Sequence, residues 1–482
     1  MEFKVRHGNF LKSSNSTNKM MKHLIISLIP IILFAFYKNG ILPYIHGYTN
    51  VYQLFKPLIM VILSCLTCFF TEYCFYKYVT KDHKNFKDLI NNTYSIIPGI
   101  FLSLILPVNT SLLILIIGSV FASFIGKLVY GGFGHNIFNP ALVGRLFVIA
   151  SYGTVIMSSG GYYNIYESVD AVTSATPLAN LSSLNYVGSY EEVVGPYGSL
   201  LDLFLGKMPG ALGEVSKLLI ILAFIYLVCN KVLKWRISIS YLFTVFVMSF
   251  IIGIINGEGL WYPMFHILTG GLMFGAVFMA TDPVTSPISN SAGVVYGICL
   301  GILTIFFRFL TPYPEGVLSS ILFMNLLVPI FNNYTIKNHN KNKCAPLIFF
   351  VIVAILLSGY IGFNIKNNDN ASKKDEYLQV INETVMGNTY TYDIKYKGFT
   401  SKESIEATVT IQNDYIIDIM VTNTLDHYYD SHIKNTTYIK DIINNQNNLD
   451  NVDTISGATY TSSYLKEMTK SILKYHGDKY EK

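Results

Sequence analysis

The sequence predicts a polytopic α-helical membrane protein that ends in a small α+β domain. Three observations lead there. Only 13% of the 482 residues are charged, against about a quarter in an ordinary soluble domain. Apolar runs recur along roughly the first 360 residues, among them Leu112–Phe124, Leu218–Cys229, Ile237–Ile255, Phe265–Ala280 and Ala345–Phe363. Several approach the roughly 20 residues needed to cross a bilayer as a helix. After the last run the composition turns polar, and period-two alternation replaces continuous apolarity. A large soluble core could hold one such run, but not this many in series.

Residues 1–22 form a basic tail (Lys4, Arg6, Lys12, Lys19, Lys22) with no small-residue cleavage site. The first apolar run therefore reads as a retained span rather than a secretory signal. Spans are expected at 23–43, 58–78, 94–106, 110–128, 140–156, 217–234, 237–255, 263–281, 293–310, 316–334 and 345–363. The first ten make a membrane domain over 23–334, and the eleventh is an anchor.

Positive charge sets the expected orientation. Basic clusters occupy the N-terminal tail, Lys77/Lys81/Lys84/Lys87, Lys231/Lys234/Arg236 and Lys337/Lys341/Lys343, with Lys127 and Arg145 flanking another turn on that side. Loop 157–215 instead carries Glu167, Asp170, Glu191, Glu192 and Asp202 against a lone Lys207. The N-terminus is thus expected inside, and loop 157–215 and residues 364–482 outside. The net charge of +5 is explained by these clusters, and gives no reason to invoke nucleic acid.

An internal repeat fits that count. Gly118-Ser-Val-Phe-Ala-Ser-Phe-Ile-Gly126 matches Gly293-Val-Val-Tyr-Gly-Ile-Cys-Leu-Gly301, and Pro107-Val108 matches Pro283-Val284. The matched segments lie five crossings apart, which predicts two inverted five-span halves, a pattern of folds that hold ligands near the midplane. Gly and Pro are also common in membrane helices generally.

Beyond the anchor, 364–384 reads as a linker and 385–482 as a separate domain. Ile405, Ala407, Val409 and Ile411 alternate with polar residues, as do Ile417, Ile419 and Val421 after the Gln412-Asn413-Asp414 turn. That predicts a hairpin with one buried face. Leu465, Met468, Ile472 and Leu473 then mark one side of a helix from about 461 to 475. None of the six cysteines falls in the segments expected outside, so no external disulfide framework is expected. Cys65 and Cys68 form a lone CxxC within an apolar run. An iron–sulfur cluster needs four thiolates, so they are expected to pack as small hydrophobes.

The chemistry concentrates in two heptads. Asp453-Thr-Ile-Ser456-Gly457-Ala458-Thr459 precedes the C-terminal helix. Read alone it fits two roles, a Ser/Thr-rich helix cap and a turn whose Gly and free amides receive a phosphate. Asp170-Ala-Val-Thr173-Ser174-Ala-Thr176, in the loop expected outside, repeats the pattern D-x-x-[ST]-x-A-T. Two copies on the same predicted side favour the second role. His135, His266 and His427 show no metal-ligand spacing on a helix, and Gly131-Gly132-Phe133-Gly134 follows no strand, so it is no dinucleotide fingerprint.

The tail heptad resembles the D-x-x-[ST]-G-A-T acceptor of FMN-binding domains, and residues 385–478 resemble the G subunit of Rnf complexes. Residues 20–334 resemble the Rnf D subunit and the B subunit of the Na+-translocating NADH:quinone reductase. The strings that carry this are Tyr130-Gly-Gly-Phe-Gly-His-Asn-Ile-Phe-Asn-Pro-Ala-Leu-Val-Gly144 and Phe278-Met-Ala-Thr-Asp-Pro-Val-Thr-Ser-Pro287. The resemblance implies FMN joined to Thr176 and Thr459 as phosphate esters by an FAD-dependent FMN transferase. Asp170, Thr173, Asp453, Ser456, Gly457 and Ala458 would belong to the recognised motifs, and Ser174 departs from the usual Gly. It implies also a non-covalent riboflavin near Gly131–Asn139 and Thr281–Ser286, where Asn136, Asn139 and Asp282 are costly at membrane depth unless they line a cavity or pair. The same polar groups could instead cap broken helices.

The implied function is a flavin-carrying subunit of an Rnf-type ferredoxin:NAD+ oxidoreductase in a bacterial cell membrane, coupled to Na+ or H+ transport. No substrate-oxidising site or NAD fold is visible, so partner subunits would supply them. Two other readings are a channel with a structural flavin, and an extracellular flavin reductase that pumps nothing.

Overall fold

The computed structural model describes residues 16–81, 85–158, 176–184, 186–206, 208–214, 216–311, 316–337, 344–374, 378–397, 404–423, 437–446, 449, 452 and 459–480. The chain divides into two units, Met1–Lys366 and Asn367–Lys482.

The first unit is helical. Its principal helices are α1 (Thr17–Ile45), α2 (Val51–Val79), α3 (Ile97–Ile105), α4 (Leu112–Leu128), α5 (Pro140–Ser158) and α6 (Lys217–Cys229). Then come α7 (Trp235–Asn256), α8 (Trp261–Leu268), α9 (Leu272–Met279), α10 (Asn290–Leu310), α11 (Val317–Lys337) and α12 (Cys344–Lys374). Side-chain caps start several of them. Ser16, Ser216 and Ser289 accept from backbone amides three residues on, and Asn50 forms a reciprocal capping box with Gln53.

Every expected span carries a helix, but not in the form expected. Among the described residues five helices are long and apolar enough to cross a membrane, namely α1, α2, α7, α10 and the stretch Leu347–Asn367 of α12. Others are shorter, and span three shrinks to the nine residues of α3. The expected continuous span 263–281 is broken: α8 and α9 meet at 64°. Thr269 is extended and Gly270 sits at φ +64°, a conformation glycine adopts at no steric cost. The expected linker is partly helix and partly strand, because α12 runs on to Lys374 and a sheet begins at Leu378.

Lipid gives helices no hydrophobic reason to associate, so close approach of small residues matters. A Cβ at Gly99 of α3 would lie 2.7 Å from the backbone of Ser64 in α2. Gly293 and Gly301 of α10 abut Ile237 and Thr244 of α7, whereas Gly118 and Gly126 of α4 abut Val148 and Pro140 of α5. The glycines matched in the repeat therefore serve close packing in both halves, against different neighbours.

The second unit is an antiparallel meander with strand order β1-β2-β3-β4, formed by Leu378–Met386, Thr389–Lys397, Ser404–Gln412 and Tyr415–Asn423. The predicted hairpin is β3–β4, turning at Asn413 and Asp414, both at positive φ (52° and 64°), as a tight hairpin turn requires. Tyr392, Ile394, Val409 and Ile411 pack with Leu465, Met468 and Ile472. The last three lie on the C-terminal helix α14 (Thr459–Tyr480), which follows α13 (Tyr438–Asn444) and outruns the predicted helix at both ends. Strands β1 and β2 had no counterpart in the sequence reading: exposed Ile381 and Val385 blur the alternation of β1, whereas in β2 buried Tyr392, Ile394 and Tyr396 do alternate with polar residues.

Candidate functional site

A cavity of about 70 Å³ in the first unit brings together Asn136, Asn139 and Asp282, the three polar residues singled out at membrane depth. Its walls are mainly apolar, from Met20, Met21 and Leu24 of α1, Phe101 of α3 and Phe278 of α9. The loop after α4 shapes one side. Gly131, Gly132 and Gly134 all have positive φ (110°, 93° and 90°), and a Cβ at Gly132 would lie 2.8 Å from the Tyr76 hydroxyl. This turn sets Phe133 edge-on to Tyr94, ring centres 4.7 Å apart. Tyr94 itself is held at φ +52°, uncommon for a bulky residue, with its hydroxyl donating to Asn18.

The polar residues have local work as well. Asn139 Oδ1 accepts from the Ala141 amide at 3.1 Å and so caps α5. Asn136 Nδ2 donates to the Phe138 carbonyl at 3.0 Å. Asp282 accepts from Thr285 Oγ1 at 2.9 Å. Capping and cavity lining thus coexist in the same side chains.

Lys127 also lines the cavity. Its ammonium pairs with Glu72 of α2, donates to the Thr93 carbonyl at 2.5 Å and lies 6.0 Å from the Phe133 ring centre. Lys127 and Glu72 are 2% and 0% exposed. A second buried pair joins Arg145 to Glu214 at 3.3 Å. Near the break between α8 and α9, Arg308 donates to the carbonyls of His266 (2.7 Å) and Thr269 (3.4 Å), satisfying the end of α8. Lys217 donates to the Glu214 carbonyl, and Lys38 to that of Met208.

Lys127 and Arg145 were counted as cations marking one membrane face, and that use is corrected: both are buried in ion pairs. The pairs themselves escaped the sequence reading. The available signal was Glu72 inside an apolar run, where a charge must find a partner. Cys65 and Cys68 lie against the carbonyls of Ile96 and Ser119 at 3.7 and 3.6 Å. His266 is buried beside Arg308, and His135 is exposed.

Of the heptads, Asp170, Thr173, Asp453, Ser456, Gly457 and Ala458 lie outside the described residues, as does His427. Thr176 is described. It caps a seven-residue helix, Pro177–Ser183, its Oγ1 accepting from the Ala179 amide at 3.3 Å. Leu178 and Leu181 bury that helix in the core and leave Thr176 half-buried. Thr459 opens α14.

These features define a polytopic membrane protein with a polar, charge-paired interior and an appended small antiparallel-sheet domain. Residues 4–341 match the NQR2, RnfD, RnfE family, and the chain belongs to it. Residues 401–474 match the FMN-binding domain. The D subunit of the Na+-translocating ferredoxin:NAD+ oxidoreductase complex of Acetobacterium woodii is 32% identical over 333 residues, 69% of this chain and 93% of that protein. The D subunit of the proton-translocating complex of Clostridium ljungdahlii is also 32% identical, over 69% of this chain and 94% of that protein. The B subunit of the Na+-translocating NADH-quinone reductase of Azotobacter vinelandii is 34% identical over 52% of this chain and 61% of that protein.

The Lys127–Glu72 pair yields a test. Lys127→Met leaves a buried carboxylate unpaired, which costs about 3–5 kcal/mol. The purified variant should melt well below wild type in detergent, and adding Glu72→Gln should restore much of the loss. Equal melting of Lys127→Met and wild type would contradict the pairing.

Proposed function

We propose that the chain is a flavin-carrying subunit of an Rnf-type electron-transport complex in a bacterial membrane, passing electrons through covalent FMN while the complex moves Na+ or H+. One observation carries this. A single chain joins an NQR2/RnfD/RnfE membrane domain to an FMN-binding domain, and each part holds one D-x-x-[ST]-x-A-T heptad.

Thr176 and Thr459 are the proposed attachment points. The chemistry at Thr176 fits an ester: its Oγ1 accepts from the Ala179 amide at a helix start, a place that favours a phosphate. Each transfer would form a Thr Oγ–phosphorus bond with FMN taken from FAD and AMP released, through an FMN transferase that reads Asp170 and Thr173, or Asp453, Ser456, Gly457 and Ala458. Ser174 adds only a small side chain where the acceptor pattern has Gly.

A riboflavin is proposed for the cavity at Asn136, Asn139 and Asp282. The lining suits a flat ring with a polar edge, offering apolar faces, two amides, a carboxylate and an ammonium. At about 70 Å³ the space falls below the roughly 300–1,000 Å³ of small-molecule sites. Met20 and Met21, flexible thioethers, would have to swing aside. When bound, flavins supply the one- and two-electron chemistry, and the protein positions and tunes them. Lys127 and Asp282 put one cation and one carboxylate at the same cavity. Partner subunits of the complex would supply the ferredoxin and NAD+ sites.

Two tests follow. In a host with the FMN transferase, denatured protein should fluoresce as a flavoprotein, and peptides bearing Thr176 and Thr459 should each gain one FMN less water. Thr459→Ala and Thr176→Ala should each remove one adduct. An unmodified Thr459 peptide in transferase-positive cells would refute covalent flavin in the tail domain.

The proposed orientation, N-terminus inside and FMN domain outside, is read by labelling. Asn445→Cys should react with impermeant maleimide in intact cells and Asn85→Cys should not. The reverse pattern would overturn the orientation.

A further inference from the structure

The folded chain does not present Thr176 as an open acceptor. Its Oγ1 accepts from the Ala179 amide at 3.3 Å, and its carbonyl accepts from the Asn180 amide at 3.0 Å. Both oxygens thus serve the first turn of the helix Pro177–Ser183. The threonine is half-buried, and the next two residues, Pro177 and Leu178, are buried.

Three sets of contacts pin that helix to the membrane unit. Leu178 and Leu181, 1% and 0% exposed, enter its core. Leu178 lies over the break between α8 and α9: a Cβ at Gly270 would come within 2.8 Å of its Cδ1. Glycine at the break therefore leaves the space that the leucine fills. Asn180 Nδ2 donates to the Glu192 carbonyl at 3.3 Å. Ser182 Oγ donates to the Tyr186 hydroxyl at 3.2 Å, and that hydroxyl donates to the Arg308 carbonyl. Undocking exposes two leucines and breaks these bonds together, so the helix leaves its seat as one unit. Group transfer has the opposite needs. The attacking oxygen must stand in line with the leaving group, with a base in reach of its proton. The transferase has to close around the threonine from both sides of the chain. A capping oxygen followed by two buried residues meets neither condition.

We propose that FMN transfer to Thr176 takes place while Pro177–Ser183 is undocked, and that seating of the helix against the α8–α9 break then locks the esterified threonine in place. This rests on the attachment reading at Thr176 and gives that reaction its place in the maturation of the chain. In the step, the Thr176 Oγ–phosphorus bond forms and the bridging phosphorus–oxygen bond of FAD breaks. AMP leaves, and the hydroxyl proton passes to a base of the transferase. The acceptor is the open fraction of the chain, so the rate falls in proportion to that fraction. Once the helix has seated, an unmodified Thr176 is a poor substrate. Thr459 belongs to the other unit and serves as the internal control.

The experiment uses the full chain in membranes from a host that lacks the transferase. Transferase and FAD are added, and adducts on the peptides bearing Thr176 and Thr459 are followed by mass over time. In wild type, transfer to Thr176 should run at least tenfold slower than transfer to Thr459. Leu178→Ala and Leu181→Ala, which loosen the seat, should each speed transfer to Thr176 at least fivefold and leave Thr459 within twofold. Leu181→Met, which refills the seat, should stay as slow as wild type. Amide hydrogen exchange on the same samples should quicken over 178–184 in the alanine variants and stay unchanged in α7, which separates undocking from loss of the fold. Equal wild-type rates at the two threonines, or no gain at Thr176 in either alanine variant, would overturn the proposal. A Thr176 peptide that stays bare when chain and transferase are made together in cells would instead remove the attachment reading itself.

Discussion

A bilayer interior supplies no water to a broken helix or a bare charge, and the membrane unit is organised around that constraint. Its helices break between α8 and α9, and Arg308 closes the carbonyls exposed there. The turn after α4 leads into an amide cap from Asn139. Lys127 meets Glu72, and Arg145 meets Glu214. Each irregularity is matched by a polar side chain from another segment or from the turn itself. These compensations fix where polar chemistry can exist at membrane depth, and hence where the cavity lies.

The same constraint separates two kinds of polar residue. Some are held in ion pairs, as Glu72 Oε1 is with Lys127. Others keep unused capacity, as Asn325 and Tyr296 do. The first kind holds the fold together, and its loss costs stability. The second kind adds little stability, and ordered water is the usual partner of such buried groups.

Much of this was legible in the sequence. Long apolar runs gave the helices, because length and hydrophobicity alone decide spanning. Alternation at Ile405–Ile411 gave β3, and Leu465, Met468 and Ile472 gave the buried face of α14. The strings around Asn136, Asn139 and Asp282 pointed to residues that one cavity gathers. The break at Thr269–Gly271 was not legible, since a paired glycine inside an apolar run also suits an unbroken membrane helix. The ion pairs were missed because Lys127 and Arg145 sit near span ends, where a cation ordinarily meets water. Only a three-dimensional view sets Glu72 and Glu214 beside them. The hydroxyl cluster of Tyr241, Thr304 and Ser320 escaped as well, because its members are spread over the chain and belong to no motif.

The central claim is that a membrane unit of the NQR2, RnfD, RnfE family and an FMN-carrying tail act together in coupled electron transfer. The most direct measurement is ferredoxin- or NADH-driven turnover of the purified complex in proteoliposomes, followed alongside Na+ and H+ uptake and reduction of the protein-bound flavin. The account predicts that flavin reduction and cation uptake rise together, and that removing Thr459 by substitution with Ala stops both. Full turnover with no cation movement at any sodium concentration or pH would contradict it.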